Sequence, residues 1–347
     1  MAKFVTFGEV MLRLSPPGGE VLFQTPHLVA TFGGAEANVS VSLANYGEDV
    51  AYVTAAPKNP VGDALIKELR GFGVCTKYVR RSGDRLGIYY AETGAAMRPS
   101  KVVYDRAGAS IAEIKPGDFD WDAIFEGAKW FHTTGITPAI AEGTADVALG
   151  AMKKAKEKGL TVSCDLNYRK KLWKWGKTPK EVMSEMVKYV DVLIANEEDC
   201  QKCLGIELDV DVTSGKLDSS KYEGLAKKIM ATFPNVKFLA VSLRESVSAD
   251  WNNWSVVLAS KDSFHVSKKY EIRDIVDRIG GGDSFGSGLI YGMNKWDAST
   301  PEGRQNAAEF AAAASALKHT IYGDYNRVGL DDVLTLMGGD SSGRVQR

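Results

Sequence analysis

The sequence predicts an α/β fold: a doubly wound, mainly parallel sheet with helices on both faces, and a small β-sheet set apart from it. Short, near-continuous apolar runs alternate with amphipathic stretches along most of the chain, the pattern of strands buried between covering helices. Two β-rich, turn-rich stretches interrupt that alternation early on. Late in the chain a run of glycines opens directly into a helix, at a place where an open α/β sheet would bind its ligand.

Taken in order, residues 3–10 read as a first buried strand. Residues 36–47 are helical, with small residues on one side and Gly47 as a stop signal. A short apolar strand at 50–54 precedes a helix at 61–73 that carries Leu65, Ile66 and Leu69 on one face. Further strands are expected at 129–133, 160–165, 190–195 and 236–242, with helices at 142–158, 180–188 and 221–233 between them and an Ala-rich helix at 306–318. The interrupting stretches, 11–32 and 86–105, hold strand-like pieces such as Gly87-Ile88-Tyr89-Tyr90-Ala91 and Val102-Val103-Tyr104. They suggest a small sheet that serves as a lid over the strand ends; long surface loops are the alternative. We expect one domain over residues 1–337, with the lid inserted from about 11–33 and 86–106. A polar, Gly/Ser-rich tail at 338–347 is expected to fray.

Composition narrows the function classes. The 347 residues are 44% hydrophobic and 25% charged, with 43 Lys plus Arg against 44 Asp plus Glu. That near-neutral balance gives no reason to expect nucleic acid or a membrane surface as partner. The opening MAKFVTFGEV runs straight into a strand without a secretory h-region, and no apolar run approaches a membrane span. The four cysteines are too scattered for a disulfide framework, so a reducing cytoplasm is expected. Cys200 and Cys203 form a CxxC without further ligands at zinc spacing, and read as two packing residues one helical turn apart.

The strongest chemical signal is Asp277-Arg278-Ile279-Gly280-Gly281-Gly282-Asp283-Ser284-Phe285-Gly286-Ser287-Gly288. Consecutive glycines let the backbone approach a ligand closely and present successive N–H groups to an anion. The helix that follows adds its free amides and the positive end of its dipole. A carboxylate at position 283 would repel a bound phosphate, a conflict that disappears if Asp283 accepts the proton of a hydroxyl attacking phosphorus. The alternative for Asp283 is an ordinary helix N-cap. Gly286, Gly288 and Gly292 lie in the same helix, each costing about 1 kcal/mol against Ala, which implies a close-packed neighbour. Gly176-Lys177-Thr178 lacks the first glycine of a Walker A loop, and no GxGxxG follows the first strand, so neither a P-loop NTPase nor a dinucleotide-binding dehydrogenase is indicated.

This segment resembles the C-terminal signature of the PfkB/ribokinase family of carbohydrate kinases, and Gly33-Gly34-Ala35-Glu36-Ala37-Asn38 resembles its N-terminal glycine signature. Order and separation match, and the resemblance covers nearly the whole chain. It implies a ribokinase-like fold, ATP and Mg²⁺ as partners with a monovalent cation as a further candidate, and a lid often used to form homo-oligomers. It makes Asp283 the catalytic base and the amides of Gly280, Gly281 and Gly282 the anion hole, with Gly34 and Asn38 at the sugar. Asn196-Glu197-Glu198-Asp199 is similar to the family's NxxE motif, which organises Mg²⁺ largely through water, with Asp199 standing where Glu is usual. Ser242-Leu243-Arg244-Glu245 occupies the place of a Thr-Leu-Gly-like turn near the nucleotide, so Ser242 and Arg244 are expected at ATP.

Three local features resemble the 2-keto-3-deoxygluconate kinases. Gly8-Glu9-Val10-Met11-Leu12-Arg13-Leu14-Ser15-Pro16 carries Arg13 near the place where fructokinase-like members have an Asp. Tyr89, then Tyr104 with Arg106, resemble the residues that hold the keto-acid, as does Arg169 in Asp165-Leu166-Asn167-Tyr168-Arg169. Guanidinium groups suit a carboxylated substrate because they bind it bidentately; Arg169 is equally placed to steady a transferring phosphate. Asp324 resembles a further substrate contact, and His132 is expected to make a strand-end hydrogen bond rather than to act in catalysis. The resemblance therefore implies an ATP-dependent 2-dehydro-3-deoxygluconokinase, with another sugar kinase or a noncatalytic sugar or nucleotide sensor on the same fold as alternatives.

Overall fold

A computed structural model describes residues 2–207 and 219–344; the last three residues of the expected tail lie outside them. The apolar runs become Phe4–Phe7 (β1), Met11–Ser15 (β2), Val29–Gly33 (β3), Val50–Ala56 (β4), Val79–Arg81 (β5), Gly87–Glu92 (β6), Lys101–Asp105 (β7), Trp130–Thr134 (β8), Thr161–Asp165 (β9), Val192–Ala195 (β10), Phe238–Ser246 (β11), Asn252–Ser260 (β12), Phe264–Val266 (β13) and Tyr270–Ile272 (β14). The large sheet runs β13-β12-β11-β10-β9-β8-β1-β4-β5, with β14 also on β12. From β11 to β5 every neighbouring pair is parallel, while β12 and its partners form an antiparallel edge.

Alternate residues of one strand feed cores on opposite faces. In β4, Val50 and Tyr52 join one apolar cluster while Val53 and Ala55 join the other. Helices Ala35–Asn45, Gly281–Lys295 and Pro301–Lys318 cover the first face, and Glu142–Glu157 and Pro179–Met186 the second. Side chains set several helix starts: Asn59 and Thr300 cap helices that open with Pro, and Thr178 forms a reciprocal box with Glu181.

The expected strand at 3–10 divides between two sheets. β1 ends at Phe7, next to Gly8, where a side chain would meet the Glu36 carboxyl 2.1 Å away, and the chain then turns into β2. That strand belongs to a separate four-stranded sheet of order β3-β2-β6-β7, the small sheet expected from the sequence. β1 has β4 on one side and β8 on the other, so chain order reverses beside it. Such a reversal opens a crevice at the carboxyl ends of the strands.

Helices Gly281–Lys295 and Pro301–Lys318 explain the costly glycines. A Cβ on Gly288 would stand 2.9 Å from the Ala311 Cα, and one on Gly292 would stand 2.7 Å from the Ala307 Cα. All four cysteines are free, and Cys200 and Cys203 are buried among apolar side chains, as a packing role requires. Among the described residues no helix is long and apolar enough to cross a membrane.

Candidate active site

A cavity of 560 Å³ lies over the strand ends, between the large sheet and the small one. Gly34, Asn38, Tyr89, Tyr104, Asp165, Arg169, Asn196, Asp199, Ser242, Arg244, Gly280, Gly282, Asp283 and Asp324 all line it. Residues separated by most of the chain are thus gathered at one place.

The glycine turn forms one wall. Gly280 has φ +84°, a left-handed conformation that a side chain would strain, and a Cβ there would collide with the Asp324 carbonyl at 2.0 Å. A Cβ on Gly281 would press on the His319 ring, whereas one on Gly282 would point into open space. Helix Gly281–Lys295 begins here without a side-chain cap. The amides of Gly280, Gly282 and Asp283 have no partner among the described residues. The Gly281 N–H instead donates to the Arg278 carbonyl at 3.2 Å. Of the three glycine amides expected to face an anion, that of Gly281 is thus already engaged, and the Asp283 amide stands free beside the other two among the described residues.

Asp283 stands in the first turn of that helix. Its Oδ2 accepts from Asn38 Nδ2 at 2.6 Å, and Asn38 Oδ1 accepts from the Gly34 amide at 3.2 Å. The N-terminal glycine signature thus holds the carboxylate of the C-terminal one. Burial pushes the Asp283 pKa up to about 6; the Asn38 bond works against this, and Asp324 reinforces it.

The opposite wall comes from the small sheet. Tyr89 donates to Asp324 Oδ1 at 2.5 Å, and the Tyr104 ring lies 6.3 Å from the Tyr89 ring. Arg13 is fully buried, pairing with Asp324 at 3.0 Å and with Asp277 at 2.7 Å. Its guanidinium thus holds Asp324 and Asp277 from beneath the cavity. Burial and the Arg13 pair act on Asp324 in opposite directions, and burial prevails, raising its pKa. Arg106, expected at the substrate, has its guanidinium paired with Glu9 and lying over the Tyr104 ring, and its Nε has no hydrogen-bond partner among the described residues. It must turn from Glu9 to reach a ligand. Arg169 is exposed to the cavity and forms no ion pair among the described residues, yet it is near enough to Arg106 to disfavour its charge.

The end of β10 supplies an acidic corner. Asn196 and Asp199 bond reciprocally, side chain to backbone, at 2.8 and 3.0 Å, and Asp199 Oδ1 also accepts from the Tyr168 amide at 2.8 Å. Both Asp199 oxygens are thus engaged by backbone N–H groups. Asp165, at the end of β9, has its pKa raised well above the carboxylate range by burial and by repulsion from Asp199 and Asp283. At the far end, Arg244 projects exposed from β11, while Arg278 donates to the Ser248 carbonyl and to Asn252. Arg244 has no carboxylate partner among the described residues and pulls the Arg278 pKa down, after burial.

His132 is kept out of the site. It is buried within the sheet, bonded to Ser163 at 2.8 Å, and burial pushes its pKa down to about 3. Sequence reasoning did not place Asp165, Arg278 or Glu9 here. For Asp165 the signal was present, since it ends a parallel strand at the ligand side; for Glu9 no local pattern exists.

Comparison with known proteins agrees with this geometry. Residues 1–328 match the model of the pfkB family carbohydrate kinase. The chain is similar to a 2-dehydro-3-deoxygalactonokinase of Haloferax volcanii, 35% identical with 98% of each chain covered. It is similar also to a probable fructokinase of Arabidopsis thaliana, 27% identical over 82% of this chain and 76% of the other. Among solved structures, a 2-dehydro-3-deoxygluconokinase from Thermotoga maritima superposes with a TM-score of 0.90 at 48% identity, covering 98% of this chain and 100% of that one.

Proposed function

This chain belongs to the PfkB family of carbohydrate kinases, and from that premise we propose that it phosphorylates the terminal hydroxyl of a sugar acid, 2-keto-3-deoxygluconate or its C4 epimer, at the expense of ATP. The observation that carries the reading is Asp283, fixed by Asn38 beside amides that have no partner. The substrate O–H bond breaks as its oxygen attacks the γ-phosphorus, the proton passes to Asp283, and the bond between phosphorus and the ADP oxygen opens. The amides of Gly280, Gly282 and Asp283 stabilise charge on the moving phosphoryl group.

The sugar-acid half rests on Arg169, a cavity cation without an ion pair among the described residues, beside Tyr89 and Tyr104. A carboxylate there would receive a bidentate bond, and the tyrosine rings would cover the carbon chain. Gly34 and Asp324 lie where sugar hydroxyls would be bound. Arg106 would join once released from Glu9. Ser242 and Arg244, at the far end of the cavity, are assigned to ATP.

The acidic corner fits Mg²⁺. Burial first, and then Asp199 and Asp283, raise the proton affinity of Asp165, a repulsion that a cation relieves. Because backbone donors engage both Asp199 oxygens, Asn196 and Asp199 would hold the ion through water, as Mg²⁺ commonly permits. Bound there, Mg²⁺ neutralises charge along the phosphates. The free cysteines support a reducing, cytoplasmic setting, and exposed Val29 and Val103 on the small sheet support pairing with a second copy.

The test is a coupled ATP-consumption assay across sugars and sugar acids, with both epimeric keto-acids included. Turnover of the keto-acids should exceed that of fructose or ribose; the reverse order overturns the substrate assignment. Asp283→Asn should cut kcat by roughly 10²–10⁴-fold while calorimetry still detects sugar binding; substantial residual turnover overturns the base.

A further inference from the structure

Lys318 is a buried charge that the reaction as described does not use. It is the last residue of helix Pro301–Lys318 and has no exposed surface. Its Nζ donates to the Ile321 carbonyl at 3.0 Å, and among the described residues no carboxylate approaches it within ion-pair distance. Taking an ammonium out of water is costly, so a chain that retains one there needs compensation nearby.

Two loops close around this ammonium. The amides of Val276 and Asp277 donate to the His319 carbonyl at 2.9 and 3.3 Å, and the Gly323 amide donates to Asp277 Oδ2 at 3.1 Å. Between them, Lys318 Cε lies 3.2 Å from the place a Cβ on Gly280 would occupy. The side chain therefore runs directly under the turn that starts helix Gly281–Lys295. Its charge is favoured by Asp277, Asp324 and Asp283 and disfavoured by Arg13 and, above all, by burial. Arg13 already pairs with both Asp277 and Asp324. The group left for Lys318 to balance is Asp283, together with whatever anion sits on the amides above it.

We propose that Lys318 is a positioning residue, a built-in cation beneath the phosphoryl-binding turn that takes the place of an exchangeable monovalent cation. The place suits either one: a single positive charge meets the Ile321 carbonyl directly and feels Asp277, Asp324 and Asp283 from beyond ion-pair distance, and ammonium and potassium are close in size. A tethered charge is never lost to dilution, so the turn keeps its potential at every salt concentration. Its effect on the phosphoryl group acts through the amides of Gly282 and Asp283, since Lys318 does not line the cavity. The inference rests on reading that turn as the phosphoryl site.

A purely structural Lys318, anchoring the carboxyl end of its helix, would lower the Tm when replaced but would not respond to particular cations. The experiment therefore compares the full-length wild type with Lys318→Met, which keeps the side-chain length, and Lys318→Ala, which leaves room for an ion. Each is assayed with ATP, Mg²⁺ and 2-keto-3-deoxygluconate in choline, sodium, potassium or ammonium buffer, with circular dichroism to confirm folding. Wild-type rates should agree within about twofold in all four buffers. Lys318→Met should lose roughly tenfold or more in kcat, the scale of one missing electrostatic contribution to the transition state, with sugar KM little changed. Lys318→Ala should regain rate with potassium or ammonium and not with choline. Potassium activation of the wild type, an unchanged kcat in Lys318→Met, or a folded Lys318→Ala without cation-selective rescue overturns the proposal. The wild-type arm keeps the two readings apart: no product from the keto-acids counts against the substrate assignment, whereas equal product from wild type and Lys318→Met counts against Lys318.

Discussion

Asp283 works at a compromise between two protonation states. Burial raises its pKa to about 6 and Asn38 pulls it back, so at neutral pH the carboxylate is ionised yet close enough in affinity to accept a proton, as the proposed base must. The rate should therefore fall with acidity: kcat/KM is expected to drop about tenfold per pH unit below about 6, read from a pH–rate profile. The stability consequence has the opposite sign. A carboxyl whose pKa is higher folded than unfolded favours the native state below its unfolded value, near 3.9, and that contribution disappears as pH rises through about 6. Asp283→Asn should then melt higher than the wild type at pH 7.5, with the gap closing toward pH 4, as scanning calorimetry would register. Asp283 and Asn38 could be placed at the cavity from the sequence because their motifs carry them as units, whereas Asp324 follows the Ala-rich helix outside either motif. The pairing of Arg106 with Glu9 was not legible, since it joins residues 97 positions apart and depends on how two sheets face each other.

At the scale of elements, helix Gly281–Lys295 shows why local propensity and packing disagree. Alanine would favour the isolated helix by about 1 kcal/mol, but at Gly292 its methyl would enter the Ala307 backbone. Gly292→Ala should thus destabilise by about 1–3 kcal/mol through overpacking, measurable as a lower urea midpoint. The alternation of strands and helices was readable from apolar periodicity, and the glycine spacing foretold the tight helix pair. The division of residues 3–10 between two sheets was not, because both halves are apolar and nothing in the string marks the change of sheet. The Glu36 carboxyl lies against Gly8 at this crossing, a tertiary contact that no local pattern announces.

Across the whole molecule, the small sheet is clasped to the edge of the large one. The Ala249 amide donates to the Ala96 carbonyl at 2.7 Å, and the Ala96 amide donates to Asp250 Oδ2 at 3.2 Å. The same β11–β12 turn receives Arg278 on the Ser248 carbonyl. One turn therefore ties the small sheet to the segment leading into the glycine run. Loosening the clasp should weaken retention of the sugar more than chemistry. Asp250→Ala is expected to raise sugar KM about fivefold, the worth of one hydrogen bond near 1 kcal/mol, with kcat within about twofold; steady-state kinetics decides it.

The contact of Arg13 with Asp324 spans 311 positions, and Tyr89 meets the same carboxylate from 235 positions away. A chain emerging from the ribosome has displayed its small sheet and most of its large one before Asp324 exists. Until then Arg13 has only Asp277 to pair with, and the wall of the cavity that it supports cannot close. Such long loops are slow to form, and parallel sheets depend on them. The site is consequently late to come into being, so that phosphoryl transfer by a newly made chain is itself a report that synthesis has passed Asp324.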